Sequence, residues 1–546
     1  MNCSLKTVSI LIIGLMINSC SYQQVPADLI VHNAKIYTVD DQFSVVEAMA
    51  IKGGKILETG PERQIMNKYN ADKIIDAGKK PVYPGLIDAH CHFLGYGFSL
   101  QRVDLVGTNS WDEVLERVDQ FVKQYNPMII EGRGWDQNDW EVKSFPDNSA
   151  LNKRYPNTPV FLKRIDGHAA IANQAALDLA GIKPGQTIDG GVIKTEGNML
   201  TGLLVDNAVD LVNHALPVAN LQETTQALMT AQKKCFEVGL TTVDDAGLNK
   251  SSILLIDELQ QAGDLKMRVY AMVSDTPENL EYFFKSGKIK TERLNVRSIK
   301  LYADGALGSR GACMLHPYSD DPGNHGFLLA SKEHFDEVAS QCFEHGFQLN
   351  THCIGDSANR LLTNVYIKYL KGTNDLRWRI EHAQVVKKKD VDKFKQFNII
   401  PSVQPTHATS DMYWAEDRLG TDRISEAYAY QTLLKTNGLL ALGTDFPVEN
   451  ISPFLTFYAA VSRKDVKGFP EDGFNMNDAL TREQALKGMT IWAAISNFEE
   501  DEKGSLEAGK LADFIILDKD IINIPIAQVP EVKVLQTFVG GELVYE

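Results

Sequence analysis

The chain has 546 residues, 44% of them hydrophobic and 23% charged, enough for a large core and more than one domain. A net charge of -16 and a pI near 5.3 exclude a nucleic-acid-binding protein, because phosphates demand basic patches and the densest basic run, Lys387-Lys388-Lys389, reads as a solvated helix start. Repeats and low-complexity stalks, the marks of a structural or adhesion protein, are absent.

The N-terminus reads as targeting. Lys6 precedes an apolar stretch from Val8 to Ile17 that is too short to span a bilayer. Ile17-Asn18-Ser19-Cys20 resembles the bacterial lipobox, in which cleavage before the cysteine is coupled to lipid attachment at its thiol. Residues 1–19 are then a lipoprotein signal peptide, Cys20 the lipidated first residue and 20–27 a tether. The expected location is the cell envelope, on its periplasmic or outer-surface side, with the lipid as the sole membrane contact. The cysteines beyond Cys3 and Cys20 are Cys91, Cys235, Cys313, Cys342 and Cys353. Scattered and without a CxxC pair, they predict neither a disulfide framework nor a thiolate zinc site.

Residues 28–82 read as short strands and turns, DLIVHNAKIYTVD and EAMAIKGGKILETG, with Gly53-Gly54 as a hairpin break. The far end matches them in GSLEAGKLADFIILD and VLQTFVGGELVY. One β-sandwich built from 28–82 and 504–546 is therefore expected. Residues 83–503 alternate apolar strand-like runs with amphipathic helices, the pattern of βα units. Eight candidate strands, Val82–Ala89, Leu240–Asp244, Met267–Val273, Val296–Leu301, Phe347–Thr351, Leu376–Ile380, Ile399–Val403 and Leu439–Gly443, predict an α/β fold of the (β/α)8 TIM-type barrel class. Helices are expected at Leu221–Val238, Ser252–Ala262, Lys332–His345, Asp356–Leu370 and Lys388–Phe397. The stretch between the first two strands is far longer than one helix needs, and predicts an insertion subdomain at about 100–235, lying over the barrel mouth as a lid.

In such a barrel the chemistry sits where strands end at their C-terminal face. The first strand ends in PGLIDAHCHF, where alternation puts His90 and His92 on one side and Cys91 on the other. The fourth delivers Lys300, the fifth His352, the sixth His382 and the eighth Asp445. Any one of these is unremarkable in isolation; five strand ends all delivering N or O donors to one rim is not. The absence of thiolates points to zinc or another borderline divalent ion. Substrate contacts are expected from Trp135, Asp136, Asp166 and His168 in the lid and from Arg310 and His407 on the rim. His168 and Arg310 stand first, since a glycine neighbour lets the backbone expose each side chain.

The order His-X-His, Lys, His, His, Asp resembles the metal-dependent amidohydrolase superfamily. The likeness runs through PGLIDAHCH, SIKLYADGALGSRGA, THCIGD, RIEHAQ, GTDFPVE and EAGKLADFIILD. In the insertion, GRGWDQNDW and KRIDGHAAIANQAAL look like the amidohydrolase family 3 branch that includes N-substituted formamide deformylase. The resemblance implies one or two divalent ions, His90, His92 and Asp445 holding the more buried one and His352 and His382 the second. It also implies a carboxylated Lys300 bridging the two. Asp445 is then the proton shuttle, and His352 polarises the substrate carbonyl if one ion alone is bound. The implied reaction is hydrolysis of a non-peptide C-N bond, an amide, N-formyl, N-acyl or cyclic amide, in a small molecule. Ester, lactone or phosphoester hydrolysis on the same barrel is the alternative. A lipid-anchored ligand-binding protein with a degenerate site would have lost rim ligands, and all six positions here are competent types. No partner beyond the substrate and the membrane is expected, with room for a homodimer.

Overall fold

A computed structural model describes residues 24–217, 219–372 and 374–546. The expected signal peptide, Cys20 and the start of the tether lie outside the described residues. Residues 25–27 of that tether already belong to a strand, Val25–His32, paired in parallel with Tyr69–Asp76.

At the centre are eight parallel strands: β1 (Leu86–Cys91), β2 (Leu240–Leu248), β3 (Arg268–Ser274), β4 (Leu294–Tyr302), β5 (Gln348–Cys353), β6 (Arg379–His382), β7 (Ile400–Val403) and β8 (Ala441–Leu442). Each is hydrogen-bonded to the next in order. Their near-continuous burial is what a sheet covered on both faces requires. Between β8 and β1 no ladder forms. The gap is bridged by single bonds: Asp445 N–H donates to His90 O and His92 N–H to Phe446 O, each at 2.8 Å. Asp88 stitches the same seam by accepting from Thr444 N–H at 3.0 Å and Thr444 Oγ1 at 2.6 Å. Gly443 is obligatory here, because a Cβ would lie 2.5 Å from His90 N and 2.8 Å from Asp88 Oδ1.

The helices between the strands bury one face, and several start on side-chain caps. Leu221–Glu237 opens on an Asn220/Glu223 capping box and Lys332–His345 on Ser331. Two expected strands shift. The run Val82–Ala89 divides at Gly85 into Pro81–Pro84, which pairs outside the barrel, and β1. The sixth strand lies at Arg379–His382 rather than Leu376–Ile380, because Trp378 carries the core contact just before it.

The two chain ends meet in a sheet where Phe514–Leu517, Val534–Val539 and Glu542–Tyr545 extend across Pro81–Pro84 to Lys35–Tyr37 and Val45–Val46. It packs on a four-stranded sheet wholly from the N-terminal side, sharing a core of Leu29, Val31, Met49, Leu506 and the stacked pair Phe514–Phe538, 4.2 Å apart. The insertion is a six-stranded mixed sheet from Val103 to Asp206, with its own core around Leu162, Trp135 and Trp140. It ends with the helix Asn207–Asn213; Leu221–Glu237, expected within it, packs against the helix Phe93–Ser99 and β2 as part of the barrel.

Candidate active site

The strand ends and the insertion enclose a cleft of about 1260 Å³ that includes His90, His92, Lys300, His352, His382, His407 and Asp445. Asp445 is its hub. Oδ1 lies 3.1 Å from His92 Nε2 and 3.8 Å from His90 Nε2, while Oδ2 lies 3.6 Å from His407 Nε2. Two three-residue groups therefore share this carboxylate, one with His90 and His92 and one with His382 and His407. His352 adjoins them, its ring centroid 4.5 Å from that of His382, and His90 stands 4.8 Å from His382. Lys300 is fully buried, its Nζ 3.3 Å from His90 Nε2. The chain turns left-handed at His382 (φ 68°) and Asp445 (φ 62°), the strain that swings each side chain off its strand into the centre.

Supporting residues fix the donors. His90 Nδ1 meets Glu381 Oε2 at 2.5 Å, and His382 Nδ1 meets Gln404 Oε1 at 2.6 Å, which leaves both Nε2 atoms facing the cleft. Asp304 accepts from Ile354 N–H at 3.0 Å and from Gly355 and Cys313 N–H at 2.8 Å, tying the loop after β4 to that after β5. Glu381, Gln404 and Asp304 were not singled out from the sequence. Only their place at or just after the ends of barrel strands could have signalled them.

The electrostatics suit cation binding. Burial pulls His90, His352 and His382 well below the ordinary histidine range, reinforced by the Lys300 charge for His90 and by the neighbouring histidines for the other two. Neutral imidazoles have lone pairs to offer. Burial raises Asp445, but the close approach of His92 and the His90, His92 and His407 rings hold it well below the usual carboxylate range. Burial brings Lys300 down to about 8 against the charges of Glu381 and Asp445, so its amine is readily neutral. His352 Nε2, His407 Nε2 and Asp445 Oδ1 are buried with no hydrogen-bond partner. Orphaned N donors grouped around an anionic oxygen fit a divalent cation.

The remaining expected contacts divide. His168 lines the cleft with its ring 5.2 Å from that of His352, and its Nδ1 lies 2.6 Å from Asp206 Oδ1. Burial lowers His168, yet the Asp206 hydrogen bond and charge outweigh it and hold the imidazole above its ordinary value. His407 is deeper than a rim contact, stacked on His382 at 5.8 Å within the Asp445 group. Asp136 and Asp166 line the cleft, but both carboxylates grip Arg164. Two expectations fail. Trp135 is wholly buried in the insertion core, donating from Nε1 to Leu162 O at 2.8 Å. Arg310 does not line the cleft, being turned to Asp320 at 2.8 Å.

Comparison with known proteins follows the same lines. A family described as the amidohydrolase family matches residues 73–545. The protein LONG AFTER FAR-RED 3 of Arabidopsis thaliana is 31% identical over 95% of this chain and 92% of its own length. The N-substituted formamide deformylase of Arthrobacter pascens is 26% identical over 95% of this chain and 98% of its own. The crystal structure of an uncharacterized metal-dependent hydrolase from Pyrococcus horikoshii OT3 has a TM-score of 0.76 and 29% identity, covering 91% of this chain and 99% of that one.

Proposed function

The chain belongs to the amidohydrolase family and is a hydrolase, and from that premise we propose that it cleaves a non-peptide C-N bond, in an amide, N-formyl, N-acyl or cyclic amide of a small molecule. The observation that carries the reading is the Asp445 carboxylate, one buried oxygen unpartnered amid imidazole rings and the other facing His407. His90, His92 and Asp445 would hold one ion and His352 and His382 a second, zinc being the metal that the donor set suits best. Lys300 would join them as a carbamate, formed when its buried amine, brought down to about 8, loses its proton and takes up carbon dioxide. A divalent ion, when bound, supplies an acidified water and a Lewis acid for the carbonyl oxygen.

The chain's own residues supply the rest. Asp445 accepts the proton of the attacking water at Oδ1 and returns it to the leaving nitrogen. His168, whose hold on a proton Asp206 strengthens, would donate from Nε2 to the carbonyl oxygen as negative charge grows there. The insertion covers the cleft and limits bulk water around the bond being cut.

Matched amide and ester substrates sharing one acyl group test the bond type: kcat/KM favouring C-N cleavage supports the proposal, and turnover of esters alone overturns it. Dialysis against a chelator is expected to abolish activity and added zinc to restore it, with elemental analysis finding about one or two ions per chain. We further propose that Cys20 carries a lipid. A Cys20→Ser variant should then leave the membrane fraction for the soluble one, and unchanged fractionation would rule out the anchor.

A further inference from the structure

The cleft wall contains four basic side chains besides its histidines, and one of them has no counter-charge. Arg102 pairs with Glu131 at 3.0 Å, Arg164 is clamped by Asp136 and Asp166, and Lys300 sits among the metal-site donors. Arg133 has no carboxylate within ion-pair distance among the described residues. Its Nε and Nη2 both donate to one neutral acceptor, Ile165 O, at 3.1 and 2.9 Å. Burial lowers the affinity of this guanidinium for its proton, offset in part by the more distant charges of Asp445 and Asp166. A half-buried cation spending two donors on a single carbonyl is costly to maintain unless something else meets its charge.

Its placement is specific. Ile165 and Gly167 flank it, and Gly167, at φ 78°, is where a Cβ would press to 3.3 Å from Arg133 Nη2. The glycine lets the turn lie flat on the guanidinium. The next residue is His168, whose ring adjoins His352. Arg133 therefore stands at the cleft wall, within reach of the Asp445 charge. Of the acids around it, Asp166 is engaged by Arg164 at Oδ2 and by His168 N–H at Oδ1, Asp104, opposite Arg133 in the strand register, accepts from Val106 N–H, and Asp445 belongs to the metal-site group. Asp411, at the end of the helix Pro405–Asp411, and Glu449, in the loop after β8, also line the cleft, on the His407 side.

We propose that Arg133 is a carboxylate-binding subsite, so that the substrate class is an amide bearing a carboxylate close to the scissile bond, such as an N-acyl amino acid. Resting on the hydrolase reading above, it adds which amides are chosen. The planar fork of the guanidinium pairs with a carboxylate through parallel hydrogen bonds, and the strand Ile130–Trp135 holds it in place before substrate arrives.

The test uses the zinc-loaded full chain and a panel of N-acyl amino acids, from glycine to phenylalanine, each paired with its own carboxamide. Both kcat/KM and equilibrium binding by calorimetry are measured. For the wild type, the carboxylate member of at least one pair is expected to lead by about 10- to 100-fold, the range of a charge-assisted contact. Arg133→Met should collapse that ratio to near one, and Arg133→Lys, which keeps charge but loses the fork, should retain an intermediate ratio. Equal losses on both members of every pair would assign Arg133 a purely structural role and overturn the proposal. So would a wild-type protein with no preference in any pair, or one that favours amine-bearing amides, drawn by Asp411 and Glu449. Carboxylate-selective binding without turnover of any amide would uphold the subsite while sinking the hydrolytic reading, so the two failures are separable.

Discussion

Asp445→Asn is expected to lower turnover by about 10²- to 10⁴-fold while the protein stays folded, because it removes the acceptor for the water proton and replaces an anionic ligand of the ion with a neutral one. Asparagine is nearly isosteric, and the backbone bond from residue 445 N–H to His90 O at 2.8 Å does not depend on the side chain. The loss is chemical. Oδ1 is the atom within 3.1 Å of His92 Nε2 and has no hydrogen-bond donor of its own; an amide in its place cannot take up a proton near neutrality. The measurement is single-turnover kinetics beside circular dichroism and metal content. Full activity with native folding would remove Asp445 from the proton path.

The largest stability effect is expected at Arg379. Its guanidinium, wholly buried, donates to Glu381 Oε1 at 2.7 Å, Asp244 Oδ2 at 3.0 Å, Ser402 Oγ at 3.0 Å and the Ala89 carbonyl. Arg379→Met leaves Glu381 and Asp244, both fully buried, without their cation, at a cost of about 3–5 kcal/mol. Burial already holds Asp244 up at about 7 despite the arginine. The damage should reach the metal site, because Glu381 Oε2 is what fixes the His90 ring at 2.5 Å. Metal affinity is expected to fall about 10- to 100-fold. Urea denaturation and metal titration measure the two effects. A combined Arg379→Met, Glu381→Gln, Asp244→Asn variant should recover much of the stability and little of the affinity. A wild-type denaturation midpoint in the single variant would contradict this account.

The barrel and its rim were legible because each strand is an apolar run whose last residue changes character abruptly, as Ile87 to His90 or Leu442 to Asp445 does. That signal is local. What it could not convey is the partner on another strand. Glu381 looks like an ordinary charge beside His382, and its role depends on His90, 291 residues away. Trp135 and Arg133 show a different limit. Two-residue alternation places them on one face, and the aromatic is the natural choice for a ligand contact. A register shift between Arg133 and Trp135 breaks the alternation, sending Trp135 into the core and leaving Arg133 at the cleft. Arg310 failed for want of long-range information: Asp320, which turns it away, also binds Arg418. His407, read as a rim residue, moved inward because the helix Pro405–Asp411 begins directly at the end of β7.

Because β8 and β1 share no ladder, the barrel is a hoop with its ends held by a few individual bonds, and His90 and Asp445 are the residues that meet there. An ion gripped by both would act as a rivet across the join. Catalytic competence and mechanical closure of the hoop would then depend on the same pair of residues. Emptying the site should loosen amide protons of Gly443, Thr444 and Asp445 before any others in the barrel, and hydrogen exchange would register that opening well short of global unfolding.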